Sequence, residues 1–211
     1  MRGIRTGLLQ PELLDQQLRA ILNVLTAVRP RIMLPMISSI AELRAVRSRL
    51  DALGAGGDVA LGIMIETPAA AVLAGDLAAE ADFFSIGSND LTQYALAMDR
   101  ANPLLAAQVD ALHPAVLRLI AMTVEGAAKN GRPVAVCGGL ASDPLGARIL
   151  VGLGIRELSV VPAAIGAIKA SLRSVSLEQC HALARQALDA DSAAAVRQLA
   201  AQSTQASGDA R

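Results

Sequence analysis

Short apolar runs of strand length alternate along this chain with longer segments whose apolar residues recur at helical spacing. That alternation is the pattern of a parallel sheet covered by helices. Five runs read as strands: Arg31–Met36, Val59–Glu66, Asp82–Gly87, Pro133–Cys137 and Glu157–Val161. Helices are expected near 11–28, 39–53, 68–80, 114–130 and 143–152, and near 162–173, 176–189 and 191–203 towards the end. Ser39 before Ile40-Ala41-Glu42, Pro114 after His113, and Ser176 before Leu177-Glu178 are helix-start signals. The second and third strands are apolar almost throughout, which implies burial on both faces, as in an α/β barrel or a doubly wound sheet. Alternation alone does not separate those two architectures. Polar residues collect where the strands end, at Glu66-Thr67, Ser88 to Asp90 and Cys137 to Gly139, the end at which both architectures build active sites.

Composition narrows the picture. The 211 residues are 53% hydrophobic and 18% charged, enough to bury one large core. Phe83, Phe84 and Tyr94 are the only aromatic residues, so that core is aliphatic and rich in alanine, the best helix former. Basic and acidic residues balance at 19 each, leaving no surplus to hold a nucleic-acid backbone or an anionic membrane. Any phosphate recognition must be local. Two cysteines, Cys137 and Cys180, read as reduced thiols rather than a disulfide scaffold. No apolar run approaches the roughly 20 residues that span a bilayer, and Met1-Arg-Gly-Ile-Arg-Thr6 lacks the apolar centre of a signal peptide, so a cytoplasmic location without membrane insertion is expected. The polar end from Gln202 is expected to fray.

Glu66 and Asp90 each follow an apolar run. On neighbouring strands they place two hard anionic ligands together, the donor set preferred by Mg2+ or Mn2+. Read singly, each has a structural alternative: Glu66, just before Thr67-Pro68, suits a helix start, and Asp90 suits the cap of a helix beginning at Leu91. Arg100, ten residues after Asp90, carries a guanidinium fit for phosphate or carboxylate, although an arginine after a helix is more often a solvated surface group. Arg2 and Arg5, near the start, carry the same alternative. Cys137 ends a strand ahead of Gly138-Gly139, where backbone and ligand can approach closely, and so stands between a packing role and a catalytic one. Cys180 reads as packing, His113 as a helix-start residue and His181 as a helix-surface residue. No phosphate-binding glycine loop of the P-loop or dinucleotide type occurs, because Gly54-Ala-Gly-Gly57 precedes a strand instead of following one.

Four segments, Ile63-Met-Ile-Glu-Thr-Pro-Ala-Ala70, Asp82-Phe-Phe-Ser-Ile-Gly-Ser-Asn-Asp-Leu-Thr-Gln-Tyr94, Asp99-Arg100 and Val136-Cys-Gly-Gly-Leu-Ala141, resemble the phosphoenolpyruvate-binding domain of enzyme I of the bacterial sugar phosphotransferase system. The likeness runs from about Arg2 to Arg173. Pyruvate phosphate dikinase and phosphoenolpyruvate synthase share shorter versions of these motifs. Gly139, where many enzymes I carry glutamate, is similar to the fructose-type multidomain phosphoryl transfer proteins.

The resemblance implies Glu66 and Asp90 as Mg2+ ligands, Asn89 and Asp90 as contacts to phosphoenolpyruvate, Arg2 and Arg100 as phosphate clamps, and Cys137 as general acid. It implies a partial (β/α)8 barrel formed by about the last five strand-helix units, spanning 1–203 with a flexible tail at 204–211. Such barrels usually need about 250 residues, so a chain truncated on its N-terminal side is expected. The histidine that receives the phosphoryl group would belong to an absent domain, which passes it on to a phosphocarrier protein. A homodimer is the expected assembly, with the alanine- and leucine-rich helices after Pro162 as candidate contact. The alternatives are a fragment of the dikinase or synthase, and a noncatalytic dimerisation module.

Overall fold

The computed structural model describes residues 2–24, 30–55 and 59–199. Five parallel strands, β1 (Arg31–Leu34), β2 (Ala60–Ile65), β3 (Phe84–Gly87), β4 (Val134–Cys137) and β5 (Glu157–Ser159), lie side by side in chain order. A doubly wound sheet reverses its strand order at a switch point; this sheet does not. Of the two architectures the apolar pattern leaves open, the monotonic order excludes the doubly wound one.

Helices precede and follow the strands: α1 (Ile4–Leu9), α2 (Pro11–Leu22), α3 (Ile40–Ala52), α4 (Pro68–Val72), α5 (Ala74–Ala78), α6 (Ser88–Leu96), α7 (Pro114–Ala128), α8 (Pro144–Gly152), α9 (Ile165–Arg173) and α10 (Leu177–Asp189). Residues 193–199 are also helical. The expected start signals act as anticipated. Ser39 with Glu42, and Ser176 with Gln179, each form a reciprocal capping box that satisfies amides at the helix start. The His113 ring accepts the Ala115 amide, with Pro114 in the first turn.

Several boundaries differ from expectation. The helix expected over 68–80 breaks at Leu73 into α4 and α5, and the stretch 162–164 is a 3-10 turn before α9. Helix α1 and the first turn of α6 carry too few apolar positions for periodicity to reveal them. The parts of the helices expected at 25–28 and 200–203, and the tail at 204–211, lie outside the described residues.

The pairing register sorts the strand residues into two faces. Ile32, Leu34, Leu61, Ile63, Ile65, Phe84, Ile86, Val136 and Leu158 share one face and pack into the aliphatic core with helix residues such as Leu43, Leu77, Leu117, Ile149 and Leu183. Arg31, Met33, Gly62, Met64, Ser85, Ala135, Cys137, Glu157 and Ser159 share the other. Burial on both faces, expected for β2 and β3, holds for all of β3 and most of β2. The outer strands alternate instead, with Arg31, Met33, Glu157 and Ser159 exposed on the second face. Among the described residues the helices therefore blanket one side of the sheet, while the other is closed at its centre, where Phe83 lies across Gly62 beneath the Arg31 guanidinium.

Candidate active site

The second sheet face ends in a row of functional groups. Ile65 pairs with Ile86 and Gly87 with Cys137, so Glu66 and Cys137 flank Gly87 at the carboxyl ends of three adjacent strands. Two strand spacings separate the two residues, roughly 10 Å. Gly87 has no Cβ, and an added one would lie 2.8 Å from Glu66 Cγ, so the glycine is the seat on which the Glu66 side chain rests.

Glu66 is not a helix cap; Thr67 takes that role, accepting the Ala70 amide at 3.1 Å and donating to the Ile37 carbonyl at 2.9 Å. The buried Glu66 carboxylate accepts the Met36 amide at 2.9 Å. Met36 has φ 56°, a left-handed conformation that a non-glycine residue adopts only where its surroundings impose it, and here it aims the amide at Glu66. Gly3, also left-handed at φ 62°, lets the chain cross Met36 where a side chain would collide, and the Ile4 amide bonds the Pro35 carbonyl at 3.2 Å. The start of the chain is thus laid over the end of β1, which carries Arg2 to the site.

Helix α6 begins at Ser88, three residues before the expected Leu91, so Asp90 sits in its first turn rather than capping it. Its carboxylate meets guanidinium groups: Arg100 reaches Oδ2 at 3.2 Å from both terminal nitrogens, and Arg2 lies 3.7 Å from Oδ1. Arg100 is therefore not a free surface group. It is held on a turn that Ala97 opens in the left-handed region and that Asp99 ties by accepting the Ala101 amide at 2.9 Å.

Cys137 is half-buried, its thiol facing the Ile86 carbonyl at 3.5 Å and the Ser85 hydroxyl at 3.9 Å. Gly138, at φ 93°, turns the chain where a Cβ would overlap Ser88 Oγ, and the Gly139 amide donates to exposed Asn89 at 3.0 Å. Burial raises the Glu66 carboxyl above the usual carboxylate range, reinforced by the negative charge of Asp90 and opposed by the Met36 amide, Arg2 and Arg100. The two carboxylates therefore lie within each other's field.

Arg5 stands apart from the row: it pairs with Glu42 at 2.7 Å and bonds Ser38, bracing the start of α3. Cys180 is packed, as expected, and burial raises its thiol. His181 is less exposed than a surface residue, donating to the Gly152 carbonyl at 2.8 Å between α10 and α8. No signal in the sequence singles out Tyr94, whose hydroxyl accepts Arg2 at 2.9 Å. Placing the start of α6 at Ser88 would have put Tyr94 and Asp90 on one helix face, four residues apart.

The donor set suits a divalent cation. Asp90 Oδ1 is buried with no hydrogen-bond donor among the described residues, and the Glu66 carboxylate, near enough to feel the Asp90 charge, could supply a second oxygen. Among those residues no group of three or more His, Cys, Asp or Glu side chains gathers, so water and ligand oxygens would complete the coordination.

Residues 1–177 match the model of the PEP-utilising enzyme, PEP-binding domain family. The chain is 52% identical over 206 residues to the multiphosphoryl transfer protein of Xanthomonas campestris pv. campestris, covering 96% of this chain and 25% of that protein. It is 52% identical to the multiphosphoryl transfer protein of Rhodobacter capsulatus, covering 94% and 24%. It is 38% identical to the phosphoenolpyruvate-protein phosphotransferase of Haemophilus influenzae, covering 94% and 36%. The chain thus spans about a quarter to a third of these relatives' length. Among solved structures, a citrate lyase from Burkholderia xenovorans LB400 superposes with a TM-score of 0.53 at 23% identity, covering 92% of this chain and 69% of that one. RipC from Yersinia pestis gives 0.53 at 19% identity, over 77% and 72%. These two are likenesses of fold alone. Among the described residues no helix is long and apolar enough to cross a membrane.

Proposed function

The chain belongs to the PEP-utilising enzyme, PEP-binding domain family, and on that premise we propose that it is the phosphoenolpyruvate- and Mg2+-binding portion of a phosphoenolpyruvate-protein phosphotransferase. The observation that carries this reading is the grouping of two carboxylates, two guanidinium groups and a thiol around the carboxyl ends of β2, β3 and β4. The fold to which this portion belongs is a partial (β/α)8 barrel, occupying about 1–203. Monotonic strand order and a sheet blanketed by helices on one side only support it.

Glu66 and Asp90 would hold the cation, which would supply positive charge to neutralise the transferring phosphoryl group and the enolate. Arg2 and Arg100 bind the phosphate, and Asn89 lies at the same rim to contact the ligand. The bond between phosphorus and the enol oxygen breaks, and the phosphoryl group passes to a histidine nitrogen on a domain outside this chain. Cys137 gives its thiol proton to the methylene carbon of the enolate, producing pyruvate, and the thiolate recovers a proton from solvent. In the whole protein that histidine would then serve a phosphocarrier protein.

Calorimetric titration with phosphoenolpyruvate, with and without Mg2+, on the wild type, Glu66→Ala and Asp90→Ala tests the reading. Mg2+-dependent heat in the wild type and its loss in both variants are expected; equal heats in all three proteins would overturn the metal assignment. A homodimer is a second element of the proposal. Val161, Ile165 and Leu177 are exposed around α9 and the start of α10, an apolar surface suited to a second copy. Sedimentation of the wild type and Ile165→Glu checks it, with dissociation of the variant expected.

A further inference from the structure

Arg2 sits at an exposed end of the chain, and two groups on α6 fix its guanidinium: the Asp90 carboxylate at 3.7 Å and the Tyr94 hydroxyl, which accepts its Nη1 at 2.9 Å. The two differ in kind. Asp90 neutralises the charge of Arg2, whereas a phenol fixes the guanidinium and leaves its charge intact. Both come from one short helix, four residues apart, so their geometry is common. The helix itself is held by the Thr92 hydroxyl on the Ser88 carbonyl at 2.6 Å, and by Ser88, whose hydroxyl bonds the Cys137 carbonyl at 2.7 Å across to β4. Arg100 approaches the other Asp90 oxygen. One carboxylate therefore serves as counter-ion to both guanidinium groups that the proposed function assigns to phosphate.

A cation taking Asp90 would strip both arginines of that counter-ion at the moment a phosphate needs them. Arg100 stays placed through its own turn, where its backbone amide bonds Gln93 Oε1 at 3.3 Å. Arg2, beside Gly3, keeps Tyr94 as its hydrogen-bond partner among the described residues. We propose that Tyr94 is a positioning residue, holding the Arg2 guanidinium over the site once a divalent cation has taken Asp90, so that Arg2 presents an unneutralised charge to the phosphate of the ligand. The inference rests on the phosphoenolpyruvate reading and adds a residue to it.

The test is calorimetry on the full chain at saturating Mg2+ with two ligands, phosphoenolpyruvate and oxalate, the second a mimic of the enolate that lacks phosphate. Tyr94→Phe removes the hydroxyl and keeps the ring. The variant is expected to weaken phosphoenolpyruvate by about threefold to tenfold, the scale of one ordinary hydrogen bond, because Arg2 is exposed and its charge is screened by water. Oxalate should bind as in the wild type, because it carries no phosphate for Arg2 to bind. Equal affinity of variant and wild type for phosphoenolpyruvate overturns the role of Tyr94 and leaves the functional reading standing. Parallel losses for both ligands overturn it too, since they mark a general disturbance of the site. A wild type that binds neither ligand overturns the functional reading and this inference together. Arg2→Met supplies the second arm: combined with Tyr94→Phe it should weaken phosphoenolpyruvate no further than Arg2→Met alone, and additive losses would count against action through Arg2.

Discussion

Gly87→Ala presses on one proposed ligand without disturbing the backbone. Gly87 has φ −83° and ψ 85°, a conformation open to alanine, so the conflict lies with Glu66, whose Cγ would be 2.8 Å and Oε1 3.0 Å from the new methyl. Ordinary contact begins near 3.4 Å, so the side chain must withdraw. It has little room, being 6% exposed with Oε2 tied to the Met36 amide. Overpacking of this kind costs about 1–3 kcal/mol. In a domain of this size that lowers the melting temperature by roughly 2–12 °C. The loss in Mg2+ affinity should be about 10- to 100-fold, as when the support of a metal ligand is removed. Melting curves and Mg2+ titrations monitored by calorimetry read the two effects separately. Gly62→Ala is the matched control, on the same sheet face, where the new methyl meets the Phe83 ring instead. It should lose stability and keep its Mg2+ affinity. Wild-type Mg2+ affinity in Gly87→Ala would refute the reasoning, as would an equal loss of affinity in the Gly62→Ala control.

Gly152→Ala should destabilise by about 3 kcal/mol, the upper end of the overpacking range, because its methyl would run into the Cys180 carbonyl at the α8–α10 crossing. Gly166→Ala in α9, with nothing within 4 Å, should instead gain about 0.5–1 kcal/mol; urea unfolding of both variants decides. Thr67→Val removes the cap of α4 and the bond to Ile37, and should cost about 1–2 kcal/mol in the same assay. Burial works to raise Glu42, but the Ser38 and Ser39 amides and Arg5 outweigh it and hold the carboxyl below the usual range. Its stabilisation is therefore complete above the ordinary carboxylate value and lost as pH falls through the lowered one. The difference in melting temperature between wild type and Glu42→Gln should shrink across that interval, and a constant difference would show that charge is not involved.

The sequence determined the repeating unit of this protein. Apolar runs at 31, 60, 84, 134 and 157 are strands because continuous β-compatible apolarity between helical segments has few other stable outcomes, and Ser39, Pro114 and Ser176 start helices through local hydrogen bonding alone. Glu66, Asp90, Arg100 and Cys137 were visible as candidates because short motifs place each directly at or after a strand or helix end. What each touches was not visible. That the carboxylate of Asp90 is shared by Arg2 and Arg100, that Met36 bends into a left-handed conformation to reach Glu66, and that Tyr94 holds Arg2 all depend on contacts between residues 10 to 92 positions apart. Strand order, and with it the side of the sheet left uncovered, likewise arises from pairing between segments that no local pattern encodes. Periodicity reports which face of an element is apolar; only the packed chain decides which face meets which, since that choice minimises exposed surface over all the elements together.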